Sequence, residues 1–109
     1  MRAPIDEPLG GQVHETQESK PPTVASFRAA RALIGVSQAE MAQLSGVSLG
    51  AISRIERYVD DAPLPCRPDT WRRLVRALRA AGIEFVDNNT TIGVLRRKPA
   101  SVRRARPRW

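Results

Sequence analysis

The sequence predicts a mainly α-helical domain of four helices closed by a C-terminal β-hairpin, with disordered termini. Three observations lead there. Apolar residues recur at helical spacing in four segments between positions 24 and 81. Past Gly82, β-branched and aromatic residues lie on both sides of Asn88-Asn89, a pair suited to a turn. Residues 1–22 and 97–109 combine proline and charge with no sustained apolar period, so they bury too little surface to offset the entropy of ordering. The 109 residues have room for one domain, here 23–96, between a disordered N-terminal arm (1–22) and a disordered basic tail (97–109).

Each element has its own signals. Phe27, Ala30 and Ile34 share one side of a first helix over about 24–34, and Gly35 ends it. Ser37 and Glu40 form a capping box, each side chain satisfying a free backbone N–H of the other, ahead of apolar Met41 and Leu44. This second helix is short, about 38–44. Gly46 supplies a turn, Val47 follows, and Ser48 caps a third helix over about 49–57. The three prolines and paired aspartates of "RYVDDAPLPCRP" require a loop. A fourth helix, about 69–81, gathers Trp71, Leu74, Val75, Leu78 and Ala81 on a core-facing arc and Arg72, Arg76 and Arg79 on another. Strands are expected at about 83–87 and 91–96.

Charge narrows the function. The net charge of +7 is unevenly spread: residues 96–109 hold seven basic groups and no acidic one, whereas residues 1–22 hold two basic and four acidic. A basic tail of that kind seeks a polyanion, most often nucleic acid, with an anionic membrane surface second. Trp109 at its end has the chemistry to stack on a base or enter a lipid interface, and equally suits a solvated terminus. No apolar run approaches the roughly 20 residues that cross a bilayer, and the N-terminus lacks the pattern of a secretory signal, so a soluble cytoplasmic protein is expected. The single Cys66 permits no internal disulfide and fits a reducing compartment, as a loop or buried thiol or, less simply, a redox switch. The only histidine, His14, lies in the arm, and no Gly-rich phosphate loop precedes a helix. Neither catalysis nor a cofactor is expected.

On a helical wheel the third helix divides. Ser48, Ala51, Ile52 and Ile55 point one way; Leu49, Gly50, Ser53, Arg54 and Arg57 fall within about 140° on the other. Ala42 on the second helix is small where a neighbouring helix comes close. Two short helices, a glycine turn and a small contact residue describe a helix-turn-helix corner, whose second member enters the DNA major groove.

At this point "RAARALIGVSQAEMAQLSGVSLGAISRIE" resembles the Xre (Cro/repressor, lambda-repressor-like) class of helix-turn-helix regulators, with Ser37-Gln38, Glu40, Ala42, Gly46, Ser48, Ile52 and Glu56 in register. The resemblance implies double-stranded DNA as partner and a DNA-contacting set of Ser37, Gln38, Ser48, Leu49, Gly50, Ser53, Arg54 and Arg57. Gln38 corresponds to a phosphate-binding glutamine that also steadies the third helix. Leu49, Gly50, Ser53 and Arg54 correspond to base-facing positions, and Arg31 and Glu56 to a partly buried ion pair. Leu49 and Gly50 have no donors for a base edge, which places direct readout on Arg54, Ser53 and apolar contact with thymine methyls. Where the family usually turns on a glycine after Glu56, Asp60 and Asp61 weaken the expectation of phosphate contacts. Arg28 suits a phosphate contact or a plain surface position, and Arg72, Arg76 and Arg79 a solvated face or a DNA contact.

The function expected is a transcriptional regulator, a repressor on an inverted repeat, acting as a homodimer through the hairpin or the fourth helix. The alternative is an antitoxin-like or adaptor protein that binds a protein partner and autoregulates through the same domain. Binding of polyanions by the basic tail alone is a third reading.

Overall fold

The computed structural model describes residues 20–98. It contains four helices, α1 (Val24–Ile34), α2 (Gln38–Ser45), α3 (Leu49–Glu56) and α4 (Pro68–Ala80), then strands β1 (Ile83–Asp87) and β2 (Ile92–Arg96) paired antiparallel. The expectations for residues 1–19 and 99–109, including His14, Trp109 and most of the arm and tail, lie outside the described residues.

Element boundaries follow local chemistry. Thr23 caps α1 through its hydroxyl, which accepts from the Ser26 N–H, and Gly35 closes it. α2 runs to Ser45, one residue beyond the expected end, and the Ser45 hydroxyl donates back to the Met41 carbonyl. α3 stops at Glu56 with Arg57 as its cap, one residue short of the expectation. α4 starts at Pro68 rather than 69, because a proline ring presets the helical φ and removes an N–H that would lack a partner there. It ends at Ala80, and Gly82 (φ 98°) turns the chain into β1. Any side chain at Gly82 would also crowd the Arg97 carbonyl, 3.0 Å from where its Cβ would sit. In the hairpin turn the Asn88 carboxamide oxygen accepts from the Thr90 and Thr91 N–H groups, each at 2.9 Å, and β2 begins at Ile92 instead of 91.

One core joins all of these. Val24, Phe27 and Ala30 of α1, Met41 of α2, Ile52 and Ile55 of α3, the four-residue apolar arc of α4 and Ile83 and Phe85 of β1 are buried together, with Val47 and Leu64 closing gaps from the connections. β2 lies against α1. Ala81, placed on the core arc by the wheel, is exposed because the helix has already ended.

The loop after α3 is held down, which its composition concealed. The free N–H groups of Val24 and Ala25 donate to the carbonyls of Ala62 (2.9 Å) and Asp60 (3.1 Å), so the loop completes the capping of α1. Leu64 enters the core, and its N–H donates to the Pro22 carbonyl at 3.0 Å. Pro22 and Lys20, whose ammonium lies 3.6 Å from Asp87, therefore contact the domain although the sequence groups them with the arm. At the other border the Arg97 N–H donates to the Gly82 carbonyl at 2.8 Å.

Candidate nucleic-acid interface

The corner is built from two capped helices and one left-handed residue. Ser37 Oγ accepts from the Glu40 N–H (3.0 Å) and Glu40 Oε1 from the Ser37 N–H (2.7 Å), which fixes the start of α2. Gly46 adopts φ 79°, a conformation that costs a side-chain-bearing residue roughly 1–2 kcal/mol, and its N–H closes on the Ala42 carbonyl. Val47 is driven inward, and the Ser48 hydroxyl accepts from the Ala51 N–H to start α3.

The rear of α3 is anchored through Glu56. Its side chain is only 5 % exposed, and Arg31 reaches it with two parallel hydrogen bonds, Nε to Oε2 at 2.7 Å and Nη2 to Oε1 at 2.8 Å. Gln38 Nε2 donates to Oε1 at 3.0 Å, while Arg31 Nη1 also takes the Val36 carbonyl at 2.9 Å. Burial by itself would raise the Glu56 carboxyl, but the hydrogen bonds from Arg31 and Gln38 and the charges of Arg31 and Arg28 outweigh it, holding the group below the ordinary glutamate range. The Arg31 guanidinium is raised, first by its hydrogen bond to Glu56. The ion pair implied by the family resemblance is thus present, and Gln38 performs the steadying half of its implied role.

Arg28 has partners within the protein. It pairs with Asp60 and donates from Nη1 to the Glu56 carbonyl at 3.0 Å, tying α1 both to the end of α3 and to the loop. Asp60 thereby has a cationic partner within the protein.

The front of α3 is different. Leu49 is 48 % exposed, Gly50 and Arg54 are exposed, and Ser53 is half-buried. Among the described residues the Arg54 side chain makes no hydrogen bond or ion pair. Its guanidinium lies back along the helix, with Nη1 3.7 Å from the point where a Cβ on Gly50 would sit. Beside it an open groove of about 420 Å³ is lined by Ala51, Arg54, Ile55, Arg57, Tyr58, Pro65 and Cys66. Tyr58 was not among the expected site residues. It is half-exposed and borders the same groove as two arginines, and the sequence signal was an aromatic directly after Arg57. Burial raises the Cys66 thiol, which disfavours the reactive thiolate a redox switch needs.

The arginines of α4 flank their own shallow groove with Trp71 and Val75, and the Arg72 guanidinium stacks 5.1 Å from the centre of the Trp71 ring. The structure does not join that face to the groove beside α3. Among the described residues no three His, Cys, Asp or Glu side chains gather as a metal site would require, and no helix is long and apolar enough to cross a membrane.

These two helices, their turn and the exposed tip of the second define a DNA-binding fold of the helix-turn-helix type. Comparison agrees: the family described as "Helix-turn-helix domain" matches residues 9–85, and the chain belongs to that family as a DNA-binding regulator. The match ends within β1, so β2 lies beyond it. No curated protein matches the chain.

Proposed function

We propose that the chain is an Xre-class transcriptional repressor that places α3 in the major groove of an inverted repeat and blocks transcription by occlusion. One observation carries this reading: α3 is fixed from behind through Glu56, while its tip offers Leu49, Gly50, Ser53 and Arg54 to solvent, with the Arg54 donors unengaged among the described residues. Preorganised donors on a rigid helix are what base-edge recognition requires. Ser37, Gln38 and Ser48 sit at the starts of α2 and α3, where backbone N–H groups favour a phosphate, and Arg57 extends the positive edge beside the groove. The tail 97–109 adds nonspecific attraction and shape readout in a neighbouring groove.

A single α3 spans few base pairs, so a two-fold homodimer on half-sites about one turn apart is the arrangement proposed. Exposed apolar surface favours the hairpin over α4. Ile92 and Leu95 of β2 are each more than half exposed, on opposite faces of the strand, whereas the apolar arc of α4 is consumed by the core. The same surface favours the second reading, an antitoxin-like or adaptor protein docking a partner there. Equimolar co-purification of an endogenous partner supports that alternative.

The test is selection of bound sequences from a random DNA pool. An inverted repeat with a defined half-site is expected, with log K falling against log[salt] at a slope near −5 for about six neutralised phosphates. Deleting residues 99–109 should weaken the complex yet leave it site-specific. Loss of all DNA affinity on that deletion would assign binding to the tail alone.

A further inference from the structure

Glycine is among the poorest helix formers, yet Gly50 lies within the first turn of α3. No backbone requirement explains it. The left-handed glycines of the described chain are Gly35, Gly46 and Gly82, and Gly50 is not among them. Nor does a tight contact: beyond its two chain neighbours and the helix's own backbone, a Cβ placed on Gly50 meets only Nη1 of Arg54 within 4 Å, at 3.7 Å. Arg54 is one helical turn later, and helical side chains lean toward the N-terminus, so its guanidinium projects over position 50. Arg54 also borders the groove shared with Arg57 and Tyr58. Two resting places are therefore open to one arginine: the bare surface over Gly50, at the tip of α3, and the groove toward its C-terminal end.

We propose that Gly50 determines base specificity through Arg54: by presenting no side chain it lets the guanidinium lie along the tip of α3, where its paired donors read guanine, whereas a bulky residue at 50 turns the same arginine into the groove with Arg57 and Tyr58, where it holds a backbone phosphate. This inference rests on the major-groove reading above. A guanidinium donating to guanine O6 and N7 discriminates among bases, while the same group on a phosphate adds affinity without sequence information. Gly50 is thus a positioning residue, and its effect on recognition passes through another side chain. The distance also grades the effect. At 3.7 Å a methyl is in ordinary contact with the guanidinium, so alanine is tolerated, but the branched end of leucine occupies the space itself.

The experiment uses the full chain and duplexes obtained by selection from a random pool. Wild type and Gly50→Ala should both require a guanine at one position of each half-site, preferred roughly 10- to 100-fold over other bases. Gly50→Leu should lose that preference while keeping its affinity for random duplex and an undiminished salt slope. In an Arg54→Ala background, Gly50→Leu should change the preference no further. Melting separates folding from recognition, since both replacements favour the helix and Tm should not fall. A Gly50→Leu protein that melts like wild type and retains the guanine preference overturns the proposal. So does one that binds every duplex more weakly by the same factor, because the glycine then makes room for DNA and not for Arg54. If wild type itself shows no site preference, the major-groove reading falls first.

Discussion

The two sides of α3 are eight residues of one helix in opposite states. Behind it, Glu56 is buried and accepts from Arg31 twice and Gln38 once, and Arg28 takes its carbonyl. In front, Leu49, Gly50 and Arg54 face water. The contrast shows how a short helix, marginal alone, becomes a rigid reader: tertiary contacts on one side provide order that the other side then does not need to generate when it binds. It also separates stability from recognition, so substitutions on the two sides should fail in different assays.

The largest expected effect is on the anchored side. Arg31→Ala leaves Glu56 buried without its main cation, a loss of ~3 to 5 kcal/mol, and Tm should fall by on the order of 12 °C or more. An unchanged melt would reject the pair as an anchor. Next comes the open side: Arg54→Ala should leave Tm within a degree or two but remove ~1 to 3 kcal/mol of discrimination between operator and random DNA in gel shifts. If discrimination survives, Arg54 does not read the bases.

Acid should sharpen the same contrast. The Glu56 carboxyl is held below its unfolded value, so its stabilisation is complete above the unfolded carboxyl pKa near 4.5 and disappears as pH falls below it, through the folded value. Wild type should lose more Tm between pH 5 and pH 3 than Glu56→Gln does. Equal losses would place the acid sensitivity elsewhere. Away from α3, Ile92→Lys with Leu95→Lys should shift sedimentation from dimer to monomer with little change in Tm, because both side chains are already exposed in a single copy. The smallest effect belongs to Asp60→Ala. Its partner Arg28 keeps the Glu56 carbonyl and the pair is largely solvated, so a loss of up to about 1 kcal/mol in urea unfolding is expected.

Much of the scaffold was legible because it depends on neighbours in sequence. The Ser37–Glu40 box spans one helical turn, Ser48 bonds three residues ahead, and Gly46 needs only its own backbone freedom. The ends of the elements shifted by a residue where a nearby group intervened, as Pro68 does for α4. The candidate site was legible as a face, since the period of a helix separates Ile52 and Ile55 from Leu49, Gly50 and Arg54. What Arg28 does was not legible. Its partners lie 28 and 32 residues away, one at the end of α3 and one in a loop whose aspartates, taken alone, resemble solvated charge.

By itself the sequence determined the four helices, the hairpin, the turn at Gly46 and the outward face of α3, because capping, periodicity and backbone freedom act over a few residues. The tertiary structure alone decided that the loop after α3 caps α1, that Arg28 ties α1 to the end of α3 and to Asp60, and that Gln38 joins Arg31 on the buried Glu56 carboxylate. Those outcomes depend on which distant groups the common core brings within hydrogen-bonding or packing distance, and no local pattern encodes that.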